Sequence, residues 1–129
     1  SGVPYGTGTP SGNPGIAAPK MRCTALPFLG SNTTLSVEQG DSQVLSFMGT
    51  GLGRASVPTP YGEILINNIL FTEVMNGGAL VGPGTYTYTW AVPNNTSLMG
   101  VNVNHQYVHL DIPSNTIALS NAIEMQFAQ

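Results

Sequence analysis

Short segments in which apolar and polar residues alternate, separated by Gly, Pro and Asn, run through most of this chain. In residues 85–92, Tyr86, Tyr88, Trp90 and Val92 fall on one side and the other positions, mostly threonine, fall on the opposite side. Alternation with a period of two is typical of a β-strand with one buried face. A helix would need apolar residues three and four apart between capping residues, and the chain has no such segment of convincing length. The chain is therefore expected to fold from strands alone.

The same pattern predicts seven or eight short strands with turn residues between them. They are predicted at 20–25, 33–39, 44–48, 63–74, 85–92, 101–111 and 117–127, with a connecting loop at 49–60. The apolar phase switches near Tyr107, which predicts a β-bulge or a strand that crosses between sheets. Strands at this spacing favour an antiparallel β-sandwich of immunoglobulin-like or jelly-roll type.

The composition argues against several classes of function. Only 7% of the residues are charged, against about 25% in ordinary soluble domains. With three cationic side chains and a net charge of −3, the chain has no basic patch for a nucleic acid or an anionic membrane. So few titratable groups also leave little material for acid–base catalysis or metal binding. We therefore expect neither an enzyme nor a cofactor-binding protein.

The N-terminal residues have a composition of their own. Residues 1–26 are rich in Pro and Gly and predict an extended arm, while residues 27–129 predict the sandwich. A flexible terminus would be one interpretation of such an arm. The apolar residues within it favour another, in which the arm lies on a surface and its last residues form a donor strand. The candidate assembly residues are Val3, Tyr5, Ile16, Met21, Cys23 and Ala25.

Chemical motifs are sparse. His105 and His109 are four residues apart, but on a strand this places them roughly 13 Å apart, too far to bind one ion together. The acidic residues are scattered singly along the sequence, and no G-x-S-x-G segment occurs. The glycine-rich segment 49–53 has the outline of a phosphate-binding loop, yet Pro58 and Pro60 follow where a helix would have to begin. Cys23 is the only cysteine, which excludes an internal disulfide and favours a small buried side chain.

Three asparagines stand in N-x-S/T tripeptides at predicted turns. Asn32, Asn94 and Asn95 are therefore candidates for covalent glycosylation. The threonine-rich face of residues 85–89 could carry O-linked sugar or be a solvated strand face.

Several short motifs, taken in order, resemble a secreted β-sandwich module of planctomycete-type and other environmental bacteria, whose pattern is YGTGC, then IPNDPALVG, then SNAL. The matching segments are 5–8 (YGTG), 28–30 (FLG), 92–95 (VPNN), 98–101 (LMGV), 106–108 (QYV), 110–111 (LD) and 118–123 (ALSNAI). The module's first cysteine is replaced by Thr9 and its second has no counterpart, so the disulfide-linked form of the fold is not expected here. The resemblance implies a location outside the cell and a structural or adhesive role, without catalytic residues.

Taken together, these features predict a structural subunit of a secreted bacterial filament. The chain would polymerise head to tail by inserting its N-terminal segment into a neighbouring sandwich. An alternative is a monomeric carbohydrate- or surface-binding module, in which Tyr86, Tyr88, Trp90 or Tyr107 would stack on sugar rings. The sequence starts at Ser1 without an initiator Met, so a secretion signal has either been removed or was never included. With the resemblance to a secreted module, we expect the protein outside the cell or on its surface, after removal of a secretion signal.

Overall fold

The computed structural model describes residues 2–128, which fold into two antiparallel sheets. Ser1 and Gln129, the outer ends of the predicted arm and sandwich, lie outside the described residues. The strands are β1 (Val3–Tyr5), β2 (Lys20–Ala25), β3 (Asn32–Gln39), β4 (Val44–Thr59), β5 (Gly62–Val74), β6 (Gly84–Ala91), β7 (Asn102–Asp111) and β8 (Thr116–Gln126). The prediction of an all-β antiparallel sandwich is confirmed.

The sandwich joins a five-stranded sheet to a three-stranded one. The larger sheet has the order β1-β8-β7-β4-β5 and the smaller has the order β2-β3-β6. Alternate side chains of both sheets meet between them and form the core, because each strand turns every second residue inward. Its largest fully buried side chains include Tyr107, Met21, Leu35, Met48 and Ile123.

The switch in apolar phase that the sequence places near Tyr107 corresponds to a bulge. The register between β7 and β8 shifts between Gln106 and Val108. Tyr107 is left pointing into the core, where its hydroxyl lies 2.8 Å from Ser46 Oγ. The prediction of an irregularity at this position is confirmed.

The prediction of a connecting loop at 49–60 is wrong, because β4 continues through these residues to Thr59. Its glycines are required by close packing: a Cβ at Gly51 would overlap the Asn67 carbonyl oxygen, and one at Gly53 would overlap the Asn67 side chain. Register shifts between Thr50 and Gly51 and between Arg54 and Val57 bend the β4–β5 hairpin on either side of these two glycines. The bend brings Leu65 and Ile66 against the outer face of the large sheet, in a small cluster with Ala122 and Tyr5.

Helical structure in residues 2–128 is limited to two 3₁₀ turns, Asn76–Gly78 and Thr96–Leu98. Among these residues no helix is long and apolar enough to cross a membrane.

The N-terminal residues differ from the expected arm. Within residues 2–128 they do not stand apart from the sandwich: β1 pairs with β8, Thr9 pairs with Leu119, and β2 forms an edge of the small sheet. The physical reason is the alternation in β2, which directs Met21 into the core while the backbone completes a ladder with β3. In this single chain, the segment completes the sheets of its own sandwich.

Candidate functional site

The candidate site is the surface of the sandwich on which residues 2–26, here called the N-terminal segment, lie. The segment contacts the large sheet at β1 and the small sheet at β2, with an irregular Pro- and Gly-rich stretch between them. All of the sequence-predicted assembly residues belong to this segment. Their contacts differ in kind: Tyr5 forms hydrogen bonds through its hydroxyl, whereas Met21 is buried in the apolar core.

Tyr5 anchors the first strand. Its hydroxyl lies 2.9 Å from the Leu65 carbonyl oxygen and 2.9 Å from Asn104 Oδ1. The Arg54 guanidinium sits 4.2 Å from the centre of its ring and also donates to Glu124 at 2.9 Å. Burial raises the pKa of Tyr5 to about 12, so the phenol stays protonated and able to donate. Val3, by contrast, is exposed and contributes mainly its backbone to the ladder with β8.

Two buried carboxylates, Asp41 and Asp111, hold the middle of the segment; we call this pair the carboxylate socket. Ser11 Oγ donates to Asp41 Oδ1 at 2.9 Å, and Asn13 Nδ2 donates to the same oxygen at 2.7 Å. The second proton of the Asn13 amide reaches Asp111 Oδ2 at 3.1 Å. Two of the acidic residues that look scattered in the sequence are thus brought together, and one amide bridges them.

His109 supports the socket from below. Its Nε2 lies 2.6 Å from Asp41 Oδ2, and its Nδ1 lies 3.2 Å from the Tyr107 hydroxyl, which in turn contacts Ser46. Burial lowers the pKa of His109, although the hydrogen bond and charge of Asp41 oppose the shift. A neutral imidazole fits this chain of contacts, with Nε2–H donating to Asp41 and Nδ1 accepting from Tyr107. Asp41 thus faces His109 through Oδ2 and the N-terminal segment through Oδ1.

The second carboxylate of the socket is held ionised by its donors. Burial raises the pKa of Asp111, but hydrogen bonds from Ser114 and Asn13 outweigh it and leave the pKa below its usual value. The Ser114 backbone N–H donates to Asp111 Oδ2 at 3.1 Å, and the Ser114 hydroxyl donates to the same oxygen. Asp111 Oδ1, in contrast, is buried and has no hydrogen-bond partner among the described residues.

Ile16 packs over Gly40, where an added Cβ would lie 3.2 Å from Ile16 Cγ2. It is half-buried. Gly40 directly precedes Asp41 in the sequence. The apolar contact of Ile16 and the hydrogen bonds of Ser11 and Asn13 are therefore made to neighbouring residues of the sandwich.

The last part of the segment enters the core. Met21 is 1% exposed, and its backbone is bracketed by the side chain of Asn121: its N–H donates to Asn121 Oδ1 at 2.8 Å, and its carbonyl accepts from Asn121 Nδ2 at 3.2 Å. Cys23 is half-buried, with its Sγ 3.4 Å from Met125 Sδ, and burial raises the pKa of its thiol. Ala25 is also half-buried, and its carbonyl accepts from Thr33 Oγ1 at 2.6 Å.

The three candidate glycosylation sites lie at one end of the molecule. Asn32, Asn94 and Asn95 are all exposed, and the hydrogen bond from Gly30 N to the Val92 carbonyl joins their two loops. Asn95 Oδ1 accepts from the Ser97 backbone N–H, which caps the short turn that follows. This end lies at the start of β3, whereas the carboxylate socket lies just beyond its last residue.

The aromatic residues offered by the sequence for sugar stacking lie in or against the core. Tyr88 and Tyr107 are 6% and 1% exposed, and Tyr86 and Trp90 are half-buried against the same cluster. Their rings therefore do not form an exposed platform for a carbohydrate.

The two histidines of β7 both face inward but serve different surroundings. His105 contacts Thr50 Oγ1 at 2.9 Å through Nδ1, and its ring lies edge-on to Tyr88 and Trp90. Burial lowers its pKa to about 4. Among the described residues, no three His, Cys, Asp or Glu side chains are grouped so that they could hold a metal ion.

Comparison with known proteins gives no family for this chain. No protein-family model matches it, and no curated protein matches it. Several solved structures are similar to it at low identity, among them the three that follow. The sporulation control protein Spo0M from Bacillus subtilis is 14% identical over 88% of this chain and 51% of its own, with a TM-score of 0.43. A Niemann-Pick type C2 protein from the Japanese carpenter ant is 8% identical over 89% and 96%, with a TM-score of 0.48.

The third is a cellulose-active polysaccharide monooxygenase from M. thermophila, 14% identical over 81% of this chain and 54% of its own, with a TM-score of 0.38. The chain thus spans about half the length of Spo0M and of the monooxygenase. Similarities at this level carry no argument about what the chain does.

Proposed function

We propose that this chain is a structural subunit of a secreted bacterial filament, and that it polymerises head to tail by placing its N-terminal segment on the sandwich of a neighbouring copy. The observation that carries the proposal is the way one segment serves both sheets. It supplies an edge strand to each of them and one buried side chain, Met21, to the core between them. A sandwich without this segment would have an open groove and unpaired backbone on two edges.

The same contacts can be made within a chain or between chains. The hydrogen bonds that hold the segment on the sandwich run to residues beyond position 26, so the segment of an identical copy can form them without new chemistry, as in domain swapping. The chain would have to leave its own sandwich just after β2, at Leu26 and Pro27. The same hydrogen bonds and packing form in either arrangement. The equilibrium between monomer and polymer is therefore set by the protein concentration and by whether the backbone at Leu26 and Pro27 favours folding back or extending to a neighbour. Exchange requires Met21 to leave the core, so we expect assembly to be slow and the product to be long-lived.

The rest of the surface also favours association. The outer edges of β5 and β6 have no partner strand among the described residues. On β5 the side chains of Ile69, Leu70 and Val74 are about half exposed, and long apolar edges of this kind promote contact between sheets. The secreted location and the bacterial source rest on the resemblance of the YGTG, VPNN and SNAI segments to the environmental β-sandwich module.

A pair of engineered cysteines tests which sandwich the segment occupies. Val3 and Glu124 are opposite each other in the antiparallel β1–β8 ladder, at a Cα separation of about 4.5–5.5 Å that a disulfide can span. We would make Val3→Cys and Glu124→Cys together with Cys23→Ser, which removes the native thiol. The protein is concentrated under reducing conditions, examined by electron microscopy, then oxidised and run on a denaturing gel without reductant.

We expect filaments and, after oxidation, a ladder of covalently linked multimers. In a second sample, oxidised while dilute, the disulfide should form within each chain and keep the protein monomeric until reductant is added. Cys23→Ser alone is the control and should give filaments without a ladder. A protein that stays monomeric at high concentration, or filaments whose crosslinks are all within single chains, would overturn the proposal.

A further inference from the structure

The carboxylate socket receives the segment through side chains rather than through a strand ladder. Between β1 and β2 the segment has no strand pairing except the contact of Thr9 with Leu119. Ser11 and Asn13 are the residues of that stretch whose side chains form hydrogen bonds to the sandwich, and both donate to Asp41. A strand of almost any sequence can pair with a sheet edge, because the hydrogen bonds of the ladder come from the backbone. Hydrogen bonds to buried carboxylates, by contrast, form only if the incoming segment carries the right side chains.

The buried position of the socket makes the donors hard to replace. Asp41 and Asp111 are 2% and 1% exposed, and His109 beneath them is 1% exposed. If a segment without these donors lies in the same place, Asp41 lacks two hydrogen bonds and Asp111 lacks one, while both carboxylates stay covered. A buried charge without its hydrogen bonds is strongly disfavoured. A segment that brings no donors would therefore be rejected.

The socket also has acceptor capacity that the segment does not fill. Asp111 binds Asn13 and Ser114 through Oδ2, while the adjacent Oδ1 is buried and has no partner among residues 2–128. An unpaired buried carboxylate oxygen is unusual, since nearly all such atoms are hydrogen-bonded. The Ser11-Gly12-Asn13 stretch leaves this oxygen without a hydrogen bond, so the socket can accept one more donor than the segment supplies.

We propose that Asp41 and Asp111 form the recognition site that decides which segment a sandwich accepts, and that its occupant in the assembled state is the Ser11-Gly12-Asn13 stretch of a second copy. This inference rests on the proposed function. Ser11 supplies a hydroxyl and Asn13 supplies an amide that spans both carboxylates, while Gly12, at φ +96°, allows the backbone to turn between them. Donor and acceptor thus lie on different parts of one chain, which is the arrangement that a head-to-tail polymer requires.

Two full-length variants separate the halves of this contact. The first, Ser11→Ala with Asn13→Ala, keeps the socket but lacks the donors. The second, Asp41→Asn, keeps the donors, but its socket replaces a carboxylate by an amide that cannot accept from Ser11, Asn13 and His109 together. Asn94→Ala is the control, because it removes an exposed amide at the opposite end of β3. Near-UV circular dichroism and thermal unfolding of each variant establish that it is folded.

We expect each variant alone to polymerise at least tenfold more slowly than the unchanged chain, and Asn94→Ala to match the unchanged chain. Mixed in equal amounts, the two variants should form pairs visible by light scattering, since the donors of one fit the socket of the other. The apparent dissociation constant of the mixed pair should be at least tenfold lower than that of either variant with itself. A merely structural role of these residues would slow both variants without any rescue on mixing.

Two outcomes overturn the inference and are distinguishable. If both variants form filaments at the rate of the unchanged chain, or if the mixture shows no pairing while the cysteine-pair variant (Val3→Cys, Glu124→Cys, Cys23→Ser) gives interchain crosslinks, the socket does not select the segment and the proposed function stands. If the cysteine-pair variant gives no interchain crosslinks, the proposed function fails and this inference fails with it.

Discussion

Asn121 and Met21 connect the two sheets of the sandwich through one side-chain amide. Asn121 lies on β8 of the large sheet, and its amide both accepts from the backbone N–H of Met21 and donates to its carbonyl, at 2.8 and 3.2 Å. Met21 lies on β2, the edge strand of the small sheet. The amide therefore pairs backbone groups of the edge strand β2 from across the interface between the sheets.

We expect Asn121→Ala to lower the free energy of unfolding by about 2 kcal/mol, since two hydrogen bonds to backbone groups are lost and one polar pair is left without partners. Urea unfolding would measure the change. The control is Thr34→Val, which removes the exposed contact between the Thr34 and Thr89 hydroxyls and should change stability by less than about 0.5 kcal/mol. Equal effects in the two variants would show that Asn121 does not hold β2.

Met21 itself should be more sensitive still. Because its side chain is 1% exposed within the main core, Met21→Ala is expected to cost about 2–5 kcal/mol through lost burial and a residual cavity. Urea unfolding again gives the measurement, and Lys20→Ala is the matched neighbour, since Lys20 is exposed on the same strand. A cost below about 1 kcal/mol for Met21→Ala would mean that β2 contributes little to the core, and it would weaken the case for a donor strand.

The strands could be predicted where alternation was undisturbed. The segments that form β2, β3, β6, β7 and β8 are predicted to within a residue or two, because burial of one face imposes a period of two. The segment that forms β5 is predicted as closely from its β-branched and aromatic residues. The bulge at Tyr107 was also predictable, since a bulge reverses the phase that the alternation records.

The remaining elements depend on contacts that a local pattern does not contain. Segment 49–60 has the composition of a loop because Gly and Pro are turn residues, yet here the glycines permit close approach of Asn67 from the partner strand. The carboxylate socket is not predicted by the sequence for a related reason. Asp41 and Asp111 are far apart in the sequence, and they meet only because β4 pairs with β7 next to the turn that carries Asp41. The one local signal is Ser11-Gly12-Asn13, a polar turn between prolines.

The bent β4–β5 hairpin gives a prediction about glycine. At Gly51 an added methyl group would overlap the backbone oxygen of Asn67, which cannot move without opening the ladder. We expect Gly51→Ala to lower the free energy of unfolding by about 1–3 kcal/mol, measured by urea unfolding. Ser56→Ala on the same strand removes only an exposed bond to Glu63 and is the control. If Gly51→Ala is as stable as the unchanged protein, the hairpin does not require the close approach at this position.

Acid should destabilise the fold, because the folded structure lowers the pKa values of three side chains and so opposes their protonation. His105 is fully buried and its pKa falls from 6.5 to about 4, so the folded protein holds it neutral where the unfolded chain would protonate it. The lowered pKa values of His109 and Asp111 act in the same direction. For each, the unfolded state binds more protons than the folded state between the two pKa values, and stability therefore falls as the pH falls through that window.

For His105 the window runs from pH 6.5 down to about 4, and at 1.36 kcal/mol for each unit of pKa the loss is about 3 kcal/mol. We would measure urea unfolding at several pH values across this range for the unchanged chain and for His105→Gln, which cannot take up the proton. The variant is expected to start from a lower stability but to lose less of it on acidification, with a slope smaller by about one proton. Asn94→Ala, which alters no titratable group, should follow the unchanged chain. Parallel curves for His105→Gln and the unchanged chain would contradict the burial of a neutral imidazole between the sheets.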